Sequence, residues 1–233
     1  MDIVDVRPRL HMFRFPIGQA YLWRDNDGLT LIDSGDVNAG PAVEEGIRAT
    51  GQDPARLRRI VLTHYHRDHV GAARELADRY GAEIVAHRLD APVVRGEAPT
   101  PEPKLLDWEI PYYEHALTVP PAPPTRVDRE VVDGDELDFG DGAVVVHAPG
   151  HTDGSIGIHL PRHGVLFTGD AVAAIERRVI LGVFNTDRAR AKSSMSRFAA
   201  LAPETVCFGH GDPVTEDTAA VLRAAADEVA AAE

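Results

Sequence analysis

A single cysteine, Cys207, stands in 233 residues, so no disulfide can close within the chain, and that usage fits a reducing compartment. Long apolar runs are missing too. The opening stretch MDIVDVRPRLHMFRF carries charges throughout, which speaks against a secretory signal, and nothing later approaches a membrane span. The expected location is the cytoplasm, with no membrane partner. Basic residues are scarce: 24 Lys and Arg stand against 37 Asp and Glu, a formal net charge of −13. Such a surface repels phosphate backbones unless a local patch overrides it. The only basic clusters, ARLRR at 55–59 and ERR at 176–178, are short and read as solvated faces, so no nucleic-acid partner is expected. Low-complexity segments are also absent.

What is present is ordinary globular material, 44% hydrophobic and 26% charged, in a length that can bury a real core. QAYLW and LTLIDSG read as two strands joined by a tight hairpin, with Asn26, Asp27 and Gly28 as residues that tolerate positive φ. A helix pattern runs from about Pro41 to Thr50, with Pro41 suited to a first turn. RRIVLTH is a short apolar strand. After it, VGAARELADRY places apolar residues at 70, 73, 76, 77 and 80, which is helical spacing, with Gly81 as its cap. AEIVAH is a further strand, so 60–87 reads as a β-α-β unit. From Val131 the strand rhythm returns, followed by a helix near 187–201, the strand TVCFGH and a closing helix from about Glu216. LTLIDSGD (29–36) and GVLFTGDA (164–171) echo each other as apolar strands ending in a small residue, glycine and aspartate.

Against that background VLTHYHRDHVGA (61–72) stands out, with His64, His66, Asp68 and His69 in six positions where a strand stops. Three other strand ends deliver the same kind of side chain: His151 after VVVHAPG, Asp170 after VLFTG and His210 after TVCFG. Side chains just beyond strand ends can share one crevice in layered α/β proteins. Imidazoles and carboxylates without a thiolate suit zinc or a similar divalent ion. Seven such ligands are too many for one tetrahedral ion and suit two ions sharing a bridge, typically ~3.5–4 Å apart. His11, His87, His115, His147, His159 and His163 fall outside these positions, His87 reading as structural, and Cys207 reads as a buried inert thiol.

The ordered set His64-x-His66-x-Asp68-His69, PGHT at 149–152, TGD at 168–170 and GHG at 209–211, with LIDSG at 31–35, closely resembles the metallo-β-lactamase superfamily over roughly residues 15 to 215. The resemblance implies an α/β fold of the four-layer αββα sandwich type, two sheets face to face with helices outside. It implies one metal on His64, His66 and His151, a second on Asp68, His69 and His210, and Asp170 as the bridge, with Asp33 behind the cluster orienting it. The implied cofactor is two Zn2+ per chain, with iron or manganese as alternatives, and Asp68 and Asp170 are the expected catalytic carboxylates. A hydroxide shared by two zinc ions would then cleave an ester-like bond in a small acyl substrate, a lactone, thioester or related compound.

Departures from individual branches narrow this. β-Lactam hydrolases of the fold usually lack the bridging aspartate and are exported, so that activity is disfavoured. Glyoxalase II carries a Cys-Gly-Arg-Phe-like motif soon after that aspartate, where this chain has AVAAIERRVILGVF, and a C-terminal helical domain, where about twenty residues follow GHGDP. Many lactonases place a tyrosine where Ala173 stands. Persulfide dioxygenases, which use one iron, and non-catalytic binding relatives remain as alternatives.

The chain is expected to be a single domain, 1–233, monomeric or homodimeric, with an excursion at about 96–126. Eight of the seventeen prolines lie there, around KLLDWEIPYYEHAL. Its Trp108, Tyr112 and Tyr113 offer apolar faces with polar tips, which suits a substrate-pocket rim, a plug on the sandwich edge or a dimer contact.

Overall fold

The computed structural model describes residues 1–176 and 178–231. Arg177, the middle residue of the ERR cluster, lies outside the described residues. The chain divides into two compact units: Met1–Pro99 with Val119–Val131, and Thr100–Thr118 with Val132–Glu233.

Seven strands lie side by side in chain order in the first unit. They are β1 (Asp2–Arg7), β2 (Leu10–Arg14), β3 (Gln19–Arg24), β4 (Leu29–Ile32), β5 (Leu57–Val61), β6 (Glu83–His87) and β7 (Arg129–Val131). β1 to β4 form an antiparallel meander, while β4 to β7 are parallel. Parallel neighbours need a crossover. Helix α1 (Gly40–Ala49) lies between β4 and β5, α2 (Arg67–Val70) and α3 (Ala73–Tyr80) between β5 and β6, and α4 (Ala91–Val94) after β6. The expected β-α-β unit is thus the step β5–α3–β6. α1 carries Pro41 in its first turn and buries Val43 and Ile47, one turn apart. α3 buries Ala73, Leu76 and Ala77 and ends at Gly81, whose φ of 70° and N–H bond to the Ala77 carbonyl are those of the expected cap. Both helices pack with Leu29, Leu31, Ile60 and Leu62 in one apolar cluster.

The β3–β4 hairpin forms by a different route from the one its residues suggest. Asn26, Asp27 and Gly28 all keep negative φ or extended backbone. Instead Asp25 N–H donates to the Gly28 carbonyl (3.0 Å) and closes a four-residue loop, a length that does not demand left-handed residues. Glycine is needed at 28 for space, because a Cβ would meet Arg58 Cγ at 2.4 Å.

In the second unit α5 (Ile110–Ala116) precedes β8 (Glu136–Leu137), β9 (Ala143–His147), β10 (Ile156–Leu160), β11 (Val165–Phe167), β12 (Val172–Ile175), β13 (Arg178–Leu181), α6 (Arg188–Ala200), β14 (Thr205–Cys207) and α7 (Thr218–Ala231). Five strands make one sheet in the order β14-β11-β10-β9-β8, and β12 and β13 pair as a separate antiparallel hairpin. α6 buries Ala191, Ser194, Met195, Phe198 and Ala199, a stripe at three- and four-residue spacing, and Asp187 caps it by accepting from Arg190 N–H. Phe198 can reach the sheet because β10 has Gly157 beneath it; a Cβ there would lie 2.5 Å from the ring. Full burial of such a ring stabilises by roughly 1.5–3 kcal/mol. Leu222, Ala225 and Ala226 of α7 join the same cluster.

The 96–126 excursion is shared between the units, residues 100–118 belonging to the second and the rest to the first. Among the described residues no helix is long and apolar enough to cross a membrane.

Candidate metal centre

β4 and β5 end side by side in the first unit. Beyond β4 the chain turns sharply at Asp33, a non-glycine residue with φ of 59°, while its N–H stays tied to the Val61 carbonyl (2.9 Å). Its buried carboxylate is fully engaged. Thr63 N–H donates to Oδ1 (2.8 Å), Thr63 Oγ1 donates to Oδ2 (2.8 Å), and His69 Nδ1 lies 2.9 Å from Oδ2. Since the Thr63 proton points to Asp33, its oxygen can only accept from His64 Nδ1, 3.0 Å away. Both imidazoles therefore carry their proton on Nδ1 and keep Nε2 as the lone-pair nitrogen. Ring centres of His64 lie 4.7 Å from His66 and 4.1 Å from His69, and His69 Nε2 is 3.5 Å from Asp68 Oδ2. All four predicted ligands of the opening cluster are thus brought together.

Backbone does the corresponding job in the second unit. His151 follows β9, with its Nδ1 on the Val183 carbonyl (2.9 Å), so this ring too presents Nε2. Asp170 sits in the 3-10 turn Gly169–Ala171 after β11. Its Oδ2 faces His210 Nε2 at 3.2 Å and His151 Nε2 at 3.8 Å. Ala174 N–H donates to the His210 carbonyl (3.0 Å). Glycines make these approaches feasible: a Cβ at Gly182 would lie 1.7 Å from the Asp170 carbonyl oxygen, and one at Gly211, where φ is 99°, 1.9 Å from that of Ala174.

Each unit therefore carries imidazole and carboxylate donors of the kind that suit a divalent ion. Three of the imidazoles have a second partner that fixes tautomer and ring orientation, the arrangement metal-ligating histidines almost always show. Thr63 and the Val183 carbonyl were not foreseen from the sequence. Thr63 has a visible signal, since it stands directly before His64 in the ligand run, whereas a carbonyl 32 residues from its histidine has none.

Trp108 and Tyr112 are more than half exposed and touch edge to face, their centroids 6.4 Å apart. Tyr113 packs on Phe184 at 5.3 Å. His87 is buried and accepts from Leu89 N–H through Nδ1, and Cys207 is fully buried in β14. His11 pairs with Asp5 and His163 with Asp141 on the surface.

A family model described as the metallo-β-lactamase superfamily matches residues 14–210. The chain belongs to the metallo-β-lactamase superfamily. Among curated relatives, the probable metallo-hydrolase YflN of Bacillus subtilis (strain 168) is 29% identical over 206 residues, 79% of this chain and 76% of that protein. The hydroxyacylglutathione hydrolase of Fuscovulum blasticum is 34% identical over 157 residues, 66% of this chain but only 49% of its own length. This chain thus spans about half of that second relative. A HARLDQ-motif mutant of the metallo-β-lactamase from Cronobacter sakazakii superposes with a TM-score of 0.74 at 21% identity, covering 100% of this chain and 95% of that one. At that identity the likeness shows the fold, the α/β sandwich of the superfamily.

Proposed function

We propose that this chain is a dinuclear, zinc-dependent hydrolase of small acyl compounds, with thioesters preferred. His64, His66, His151 and Asp170 would hold one ion and Asp68, His69 and His210 the other, with Asp170 placed to serve both. The observation that carries the reading is the Asp170 carboxylate, one oxygen of which faces both His151 and His210. Locked tautomers at His64, His69 and His151 support the same assignment. When bound, two divalent ions supply a water acidified toward neutrality and a Lewis acid for the carbonyl oxygen.

The chain's own residues do the rest. Asp33 and Thr63 hold two imidazoles in one orientation, so that donor geometry is set before substrate arrives. Asp68 takes up the proton released by the attacking water. Position 173, where many lactonases place a tyrosine, is a buried alanine in β12, so no side chain there can protonate a leaving group. An alkoxide suffers from that omission; a thiolate, whose conjugate acid has a pKa near ~8.5, leaves unaided. The naming of several relatives at about 30% identity as hydroxyacylglutathione hydrolases points the same way.

Metal analysis and a substrate panel test this together. Close to two zinc ions per chain are expected, with kcat/KM higher for acyl thioesters than for matched oxygen esters, lactones or β-lactams. Asp170→Asn and His66→Ala should abolish the activity and leave a folded protein. One iron per chain, or near-normal rates in either variant, would overturn the two-metal hydrolase.

A further inference from the structure

The ARLRR cluster reads as a solvated face, yet its arginines have separate fates. Arg59 pairs with Glu83 at 2.9 Å, and Arg58 lies across Gly28. Arg56 instead turns into a cleft of about 300 Å³ that it lines with Arg9, Arg24, Asp25, Asn26 and Gln52. The cleft belongs wholly to the first unit and gathers the β1–β2 turn, the β3–β4 loop and the turn entering β5. Asp33 and the histidines lie at the other end of β4, four residues or roughly 13 Å of extended chain away.

Three guanidinium groups share this cleft with one carboxylate. That carboxylate is already in use: Asp25 Oδ1 accepts from the Trp23 indole N–H at 3.0 Å and lies 3.9 Å from Arg9 Nη1. The other two cations are held by neutral acceptors. Arg24 Nη2 donates to the Pro8 carbonyl (3.0 Å). Arg56 donates through Nη1 to Gln52 Oε1 (2.7 Å) and through Nη2 to the carbonyls of Asn26 (2.8 Å) and Asp25 (3.2 Å). Such bonds fix the guanidinium planes without cancelling their charge. Asp27, in the same loop, is not among the residues lining the cleft, and Asp53 uses its carboxylate to cap the 3-10 turn at Ala55 N–H. Two uncompensated positive charges therefore sit in a concave site on a protein of net charge −13. A second cleft of about 570 Å³ lacks this character, because two carboxylates, Glu83 and Asp128, line it beside Arg58 and Arg126.

We propose that this arginine cleft is a binding site for a small phosphate-type dianion, separate from the metal centre. Guanidinium forks match phosphate oxygens in both geometry and charge. The volume exceeds that of bare phosphate and admits a diphosphate or the phosphoryl end of a small ester.

Isothermal titration of the full, metal-loaded chain with inorganic phosphate, pyrophosphate and glycerol 3-phosphate tests the site, and the tightest of the three identifies the source. At least one should saturate with Kd below about 1 mM, weakening as salt rises. Arg24→Gln and Arg9→Gln should each lose about ten- to a hundredfold in affinity, the scale of a lost charged hydrogen bond, while hydrolysis without phosphate stays unchanged. Arg56→Gln should lose more, and the other two variants carry the test if its removal unfolds the loop. No binding by the wild type, or equal binding in the arginine variants with the anion held at the histidines, would overturn the proposal.

Discussion

Asp33 and Asp170 each stand just past a short buried strand, in two segments that echo each other through Ser34-Gly35-Asp36 and Thr168-Gly169-Asp170, yet the two units use them oppositely. Asp33 turns both oxygens inward, onto Thr63 and His69. Asp170 turns one oxygen outward to two imidazoles, while its backbone is wedged against Gly182. In the first unit side chains hold the donors; in the second, main chain does. A side-chain scaffold can be dismantled one hydrogen bond at a time, whereas a backbone scaffold yields only where a glycine is filled.

The sharpest way to break the comparison is Gly182→Ala. Its new Cβ has nowhere to go without moving the Asp170 carbonyl, so a loss of about 1–3 kcal/mol is expected from overpacking, with activity lost alongside it. Denaturant unfolding and metal content measure both, and a variant with normal stability and normal metal would show that main chain is not what positions Asp170. Next comes Asp33→Ala, which should weaken metal affinity about ten- to a hundredfold in a competition titration. Thr63→Val should do less, removing only the hydroxyl that His64 uses. Unchanged affinity in Asp33→Ala would reduce that residue to a turn-former.

A smaller effect is expected from Trp108→Ala and Tyr112→Ala. Both side chains are exposed, so stability should barely move. If they rim the substrate path, the ranking of acyl substrates changes with metal content intact; an unchanged ranking with a lost dimer assigns them to a contact between copies. The smallest effect concerns His159 in β10, whose burial holds its pKa below the ordinary value. The folded state then resists a proton that the unfolded chain accepts. That difference costs stability as pH falls through about 6.5. His159→Asn should flatten this acid limb in unfolding measurements made from pH 7.5 to 5, and an identical pH dependence would remove burial as the cause.

The candidate donors are legible because they sit at strand ends in tight, ordered runs, and both α3 with its Gly81 cap and the β5–β6 crossover follow from apolar spacing. Other features were hidden for physical reasons. β1 is an exposed edge strand whose charges (Asp2, Asp5, Arg7) mask its alternation, and β12–β13 is a short hairpin whose apolar residues carry no turn signal at Glu176. Gly28 looked like a left-handed turn residue but answers to a neighbour thirty positions away. Within 96–126, the prolines mark an irregular path but not which unit each stretch joins. Local spacing reports on local structure, and the close approaches around Gly157, Gly182 and Gly211 are non-local.

The anchoring of His64, His69 and His151 through Nδ1 bears on how an ion would come and go. A ring that must still find its rotamer and tautomer makes capture and folding one event, and a chelator then unfolds the protein. Here the orientation is set by Asp33, Thr63 and a main-chain carbonyl. The donor set is thereby a standing template. Stripping the ion should leave it legible in the apo protein, ready to be refilled by whichever divalent cation the surroundings supply.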